Sequence, residues 1–412
     1  MWPRGLFPPV DPASGEPLKN KGHEPRSTLT SNGRISILRR RFQLPAGGGL
    51  MPADALLDLA EATLSLGARE LCSRTATLCK GFKRGEKELK HLAQLSISTS
   101  QLRQVVEAEG KRVLAASESG ALKPNWQAED CLAKTPDGKE ITRVYLGMDA
   151  FTMRLLTDKE KKGRREKVQA KRAARSGDKP KLPVLARRKK GADQSYKEAK
   201  IVQFHDETLK HRVVSVTRKD CVEAGRIMRR DARRIGFERA VERIANFDGG
   251  PWIVGLLIRW HVVLTALCLD IYHLGQQVGK GMRATFGEAN DKGTKWLEEL
   301  MHTVKHESYA PFWDRLVQWR SEFCRGKKRE QADQLLGYVA ERKNLIIYEQ
   351  CKAKGWRNSS STTESECGAV SDRIRGPKRW DGDNAEAMMA LEAMRQSHMW
   401  EQYWTTAAWQ SN

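Results

Sequence analysis

The chain has no uninterrupted apolar span of the ~18–20 residues that a membrane-crossing helix needs. Its longest apolar region, Ile253 to Leu269, is broken by Arg259-Trp260-His261. Met1 to Asn20 holds no continuous apolar segment, which argues against a secretory signal. Paired cysteines are missing as well. Cys72, Cys79, Cys131, Cys221, Cys268, Cys324, Cys351 and Cys367 are scattered, without a Cys-x-x-Cys. That argues against a zinc ribbon or a disulfide framework and suits a reducing cytosol. There is no internal repeat. Gly275 to Gly281 lacks the Gly-Lys-Ser/Thr ending of a phosphate loop, so an ATPase reading fails. His302 and His306 stand one helical turn apart, but without the Glu of His-Glu-x-x-His. Acid is also short: 51 Asp and Glu face 73 Lys and Arg, a net charge of +22. Such an imbalance predicts attraction to polyanions, nucleic acid above all.

What is present suffices for two or three domains: 412 residues, 39% of them hydrophobic. Residues 1–32, rich in Pro, Gly, Ser and charge, predict a poorly ordered leader. Residues 33–135 predict a short strand at Arg34–Leu38 and then mainly helices, the fourth capped by Thr99 or Ser100. Two short helices with a tight turn make this region a candidate DNA-binding domain, with a plain helical bundle as the alternative. Residues 140–273 predict a sheet. Arg143–Asp149 reads as a strand ending in an acid, with Phe151–Leu156 returning antiparallel to it. Strands at Ala199–Phe204 and Arg212–Val216, a helix from Asp220 to Ile235, a strand at Ala245–Phe247, a helix from Pro251 and a buried strand Val262–Leu269 complete it. Between them, residues 157–197 form a basic segment with few apolar residues, read as a phosphate-binding loop. Lys161, Lys162, Arg164, Arg165, Arg187, Arg188, Lys189 and Lys190 are its candidate nucleic-acid contacts. Residues 274–355 predict an all-α insertion, and 356–412 the helices that complete the core. This order predicts an α/β fold with the mixed, ribonuclease H-like sheet layout.

Three acids stand where such a layout would bring them together. Asp149 ends the first strand, Asp248 ends a later strand beside it, and Glu364 opens a helix after the insertion. Three converging carboxylates ionise cheaply only beside a cation. Mg²⁺ takes a few carboxylates plus water and phosphate oxygens. A pair of such ions serves in-line phosphoryl displacement. Gly249-Gly250 would let a DNA backbone come close. Spacing alone leaves Glu366 as a rival to Glu364.

Asp-Gly-x-x-Trp at 248–252, Leu-Asp-x-Tyr-His at 269–273 and Glu-Ser-x-Cys at 364–367 resemble the DDE transposases of bacterial insertion sequences, close to the ISKra-type group. Arg373-Ile374-Arg375, Arg379-Trp380, the Ala-x-x-Met-x-x-Leu-x-Ala pattern at 385–393 and Trp400-Glu401-Gln402-Tyr403-Trp404 extend the likeness. It covers about Gly33 to Trp404. The resemblance implies a ribonuclease H-like core that nicks and joins transposon ends. Asp149, Asp248 and Glu364 would then bind two Mg²⁺ or Mn²⁺ ions. Asp270 and His273 would match an Asp-x-x-His motif that assists nearby; on chemistry alone they fit a strand-end turn with a buried, hydrogen-bonded His equally well. Arg373 and Arg375 would touch DNA. The implied partners are transposon-end and target DNA, with the protein a dimer or larger on DNA in the bacterial cytoplasm, at the nucleoid. Two alternatives stay open: an inactive, transposase-derived DNA-binding protein, and a nuclease of the same fold that does not join strands.

Overall fold

In a computed structural model the chain is described at residues 9–11, 14–45, 47–56, 63–175, 195–288, 290–375 and 379–410. It divides into two compact units. The first takes the described residues up to Leu122, Asp383–Arg395 and Met399 onward; the second takes Lys123–Gly382 and Gln396–His398. Residues 383–395 and 399–410 thus group with the N-terminal part, not with the sheet-bearing unit to which the sequence assigned 356–412.

The first unit opens with a surprise. Lys19–Thr30, expected to be a disordered leader, is a strand, β1, paired antiparallel with β2 (Gly33–Gln43). Gly33, at φ 103°, makes the tight turn between them. A short β3 (Gly49–Leu50) pairs with the far end of β2. Then come α1 (Pro52–Leu56), α2 (Leu66–Leu78), α3 (Phe82–Leu92) and α4 (Thr99–Ser119). Ser65 caps α2, and Ser98 caps α4 one residue before the predicted Thr99 or Ser100. Cys72, Ala76, Leu89, Leu102, Val106 and Val113 are buried on these helices. Gly110 of α4 leaves no room for a Cβ: one built there would lie 2.2 Å from the Ala387 carbonyl oxygen of the helix Gly382–Gln396.

The second unit holds a mixed sheet. Its elements are β4 (Leu132–Lys134), β5 (Glu140–Arg154), α5 (Asp158–Arg175), β6 (Tyr196–His205), β7 (Arg212–Thr217), α6 (Cys221–Arg234), β8 (Glu242–Phe247), α7 (Pro251–Arg259) and β9 (Ala266–Leu269). Strand order is β7-β6-β5-β8-β9, with β4 on the start of β5. The β5–β6 and β6–β7 pairs are antiparallel; β5–β8 and β8–β9 are parallel. The fold is therefore mixed α/β. Phe151–Arg154 does not turn back: it continues β5, and β6 is the antiparallel partner. The last strand is shorter than expected, since Val262 and Val263 precede it in a loop.

The predicted basic loop starts as α5. Lys, Arg, Ala, Gln and Glu all propagate a helix well, and Thr157 with Glu160 forms a reciprocal cap at its start. Glu160 pairs with Arg379, and Lys161 with Asp381, tying the first turn down. The rest of the segment, 176–194, lies outside the described residues, and with it Arg187, Arg188, Lys189 and Lys190.

After β9 come α8 (Ile271–Phe286), α9 (Asp291–His306), α10 (Tyr309–Phe323), α11 (Lys327–Glu341), α12 (Tyr348–Lys354) and α13 (Ser361–Ile374). Leu274, Val278, Leu300, Phe312, Leu316, Trp319 and Val339 form their core, continuous with Tyr145, Ile244 and Cys268 of the sheet. Among the described residues, no helix is long and apolar enough to cross a membrane.

Candidate active site

Two of the predicted acids are set by the sheet itself. Leu146 pairs with Ala245 and Gly147 with Asn246 in the parallel β5–β8 ladder. Two residues on, in the same register, stand Asp149 and Asp248. Asp149 is not at a strand end, as expected from its sequence: β6 goes on pairing with β5, Asp149 opposite Ile201, after β8 has stopped. Asp248 sits just past β8, before Gly249, whose φ of 85° turns the chain into α7.

The third acid comes from α13, which lies on the face of β5 that carries Gly147. A Cβ on Gly147 would stand 1.8 Å from Thr363 Oγ1, so only glycine lets the helix come this close. Glu364 follows Thr363. Each acid is fixed on one oxygen by a local bond. Asp149 Oδ1 accepts the Ala150 N–H (2.6 Å), Asp248 Oδ1 accepts the Gly250 N–H (2.8 Å), and Glu364 Oε1 faces the Ser360 hydroxyl (3.2 Å). Asp149 also accepts the Cys367 thiol, one turn along α13. Burial pushes the Asp149 pKa up, and the negative charges of Asp248 and Glu364 push it further, against the lowering by its Ala150 and Cys367 bonds. All three acids therefore act on one neighbourhood.

Asp270 and His273 adjoin it. Asp270 is fully buried and caps α8, accepting the His273 N–H at 2.7 Å and facing the His273 ring Nδ1 at 3.1 Å. Its other oxygen takes the Ser360 N–H (2.6 Å) and hydroxyl (3.0 Å). Burial alone would raise its pKa; these hydrogen bonds outweigh it and hold the carboxyl at about 2. The Asp270 hydrogen bond raises the His273 pKa despite the opposing effect of burial, and the charges of Asp270, Glu364 and Asp248 raise it further. The His273 Nδ1 lies 3.6 Å from Glu364 Oε1. Among the described residues, Asp270, His273 and Glu364 form the group of possible metal ligands whose atoms all lie within 4.8 Å of one another. The predicted ligand trio is looser: Asp149 and Asp248 flank this group but do not enter it.

Glu366 is no rival for the site. It is buried on the far side of α13, 2.9 Å from Arg212 of β7. Ser360, which begins α13, gives its side chain to Asp270 instead of the helix backbone. Arg342 is a neighbour to which no motif pointed, its Nη2 donating to the Gly249 carbonyl oxygen at 3.1 Å. Of the candidate nucleic-acid contacts, Lys162 and Arg164 are exposed on α5, Arg165 is half-buried there, and Lys161 is engaged with Asp381. Arg373 is half-buried and Arg375 exposed at the end of α13, where the Arg375 charge reaches Cys367.

No family model matches the chain, and no curated protein matches it. The site must be argued from its own chemistry. Oxygen ligands fixed in place, drawn from two neighbouring strands and a helix, suit a hard divalent cation that keeps water and phosphate oxygens in its shell. Burial and the nearby charges of Asp248 and Glu364 raise the proton affinity of Asp149, and such a cation would relieve that cost. The donor set thus fits Mg²⁺ or Mn²⁺.

Proposed function

We propose that this chain is a DDE-type DNA transposase, with a ribonuclease H-like core that cuts and joins phosphodiester bonds at the ends of a mobile element. The observation that carries the reading is that Asp149 on β5 and Asp248 just past the neighbouring parallel strand β8 each follow the Gly147–Asn246 pair by two residues, with Glu364 brought near by α13. The strand order β7-β6-β5-β8-β9, with its antiparallel start and parallel finish, agrees with that core. Asp149, Asp248 and Glu364 would hold two Mg²⁺ or Mn²⁺ ions, which supply charge for the attacking and leaving oxygens of an in-line displacement. Asp270 fixes the His273 ring through Nδ1, and that ring with Ser360 orients Glu364. Gly249 and Gly250 let the side chains of Leu269, Arg342 and Trp252 close in beside Asp248. Lys and Arg of the chain supply a sequence-independent grip on DNA, and two DNA ends call for a dimer or larger assembly.

The test is a cleavage and strand-transfer assay on plasmid DNA that carries the sequences flanking the gene, with Mg²⁺ and with chelator. Metal-dependent nicks and joined products are expected from the parent. Asp149→Asn, Asp248→Asn and Glu364→Gln should lose both while keeping DNA affinity. Cleavage by Asp248→Asn at the parental rate would sink the reading. Nicks without joined product would make the protein a nuclease, and DNA binding without either would leave a DNA-binding protein.

A further inference from the structure

The β1–β2 hairpin has no part in the site above. Between Lys19 and Gln43 it carries seven basic residues, Lys19, Lys21, Arg26, Arg34, Arg39, Arg40 and Arg41, against one acid, Glu24. Its two faces differ. On one, Arg39 and Arg26 turn to Asp54 of α1 at 2.6 and 3.1 Å, and Thr28 is buried. The other face is made by the cross-strand rows His23–Arg40, Pro25–Leu38 and Ser27–Ser36, and all six residues are exposed. Leu38 is 70% exposed, a large apolar side chain set among cations. Arg34, exposed at the turn end of the same face, donates to Ser27 at 3.3 Å.

We infer that this face enters the major groove of duplex DNA. The inference rests on the proposed reading of the chain as DNA-binding, though not on its chemistry. Dimensions agree. Two paired strands lie ~4.8 Å apart, and a major groove about 12 Å wide admits such a ribbon with its side chains. The three exposed rows span five residues of β1, roughly 15 Å, or about four to five base pairs. The chemistry agrees too. Arg34 and Arg40 can reach phosphates or the acceptor edge of guanine, Ser27 and Ser36 can bond either, and Leu38 with Pro25 offers apolar contact for a thymine methyl. A protein partner would meet Leu38 with an apolar patch but would leave the surrounding cations unanswered. The polyphosphate backbone answers them.

The experiment uses the full chain and duplexes of about 30 base pairs with randomised sequence, read by fluorescence anisotropy over a salt series. Arg34→Ala/Arg40→Ala should weaken binding about tenfold or more and flatten the salt slope by about two counterions. Leu38→Ala/Ser36→Ala should leave the slope unchanged but relax the sequence preference of the duplexes selected from the pool. Methylation of guanine N7, which blocks the major groove edge, should reduce parental binding. Far-ultraviolet circular dichroism must match the parent for each variant; all four side chains are exposed, so the fold should hold. Unchanged affinity and slope in a folded Arg34→Ala/Arg40→Ala variant would overturn the inference. So would equal loss of affinity for single-stranded DNA. Asp248→Asn in parallel separates the two proposals. Normal binding by the ribbon variants beside a dead Asp248→Asn enzyme removes the ribbon and keeps the transposase. Lost binding beside a fully active Asp248→Asn does the reverse.

Discussion

Gly147→Ala is the most informative single substitution in the sheet. Position 147 is one row below Asp149 and directly beneath α13. The new methyl would meet Thr363 Oγ1 at 1.8 Å, Cβ at 3.0 Å and Cγ2 at 3.2 Å. Rotating the threonine does not relieve all of this, because Cβ at 3.0 Å stays where it is. The helix must back away. Overpacking of this kind costs about 1–3 kcal/mol, and a clash with both a fixed Cβ and its branch belongs near the upper end. Glu364, the next residue, moves with Thr363, and a displacement of about 1 Å at a reacting centre can cost on the order of a hundredfold in rate. Urea denaturation gives the stability and metal-dependent nicking gives the rate. Thr363→Ala in the same chain removes Oγ1 and Cγ2 and should recover much of both losses, while alone it costs about 1 kcal/mol for a buried hydroxyl. The cycle of four proteins should show strong coupling. A Gly147→Ala protein with parental stability, or one that Thr363→Ala fails to rescue, would refute this account of how the third acid is placed.

Glu364→Gln and Glu366→Gln should behave oppositely. Glu366→Gln weakens a buried pair with Arg212 and should lower stability by about 2 kcal/mol while cleavage below the melt persists. Glu364→Gln should melt near the parent and cleave nothing; the reverse pattern would exchange their roles. His205, buried and stacked on Tyr145 at 5.2 Å, has its pKa lowered by burial from 6.5 to about 4. Its folded pKa lies below the unfolded one, so its stabilising contribution is complete above pH 6.5 and fades as pH falls towards 4. That amounts to about 3 kcal/mol across the window. His205→Phe should flatten this part of a pH–stability curve, and an unchanged slope would show that the ring is not held neutral.

The turn at Asp248 was legible because its chemistry is local. Asp248 before Gly249-Gly250-Pro251, after a short apolar strand, reads as a strand–turn–helix without any partner in view. The extent of β5 was not legible. Asp149 looks like a strand end because it is polar, yet it lies mid-strand since β6, about fifty residues later, keeps pairing with it. Arg34–Leu38 of β2 was legible by its alternation, but its partner β1 escaped for a related reason: a strand exposed on one face and rich in charge shows little apolar alternation. At α5 the signal was present. Thr157-x-x-Glu160 is a capping pattern, hidden by the density of Lys and Arg that follows. Ser360 offered none, because what draws it from its helix is Asp270, ninety residues away.

Backbone hydrogen bonding between β5 and β8, at the ~4.8 Å pitch common to all sheets, holds the two strands together up to Gly147 and Asn246, two residues short of Asp149 and Asp248. Up to that pair, no side chain has to be packed well for the strand spacing to hold. Glu364 has no such ruler: its place depends on Gly147, Thr363, Ser360 and His273 together. The site is therefore unequal in how it can fail. Random core substitutions should leave the pair of aspartates intact and detune the glutamate, so damaged copies of this chain would lose activity first through α13.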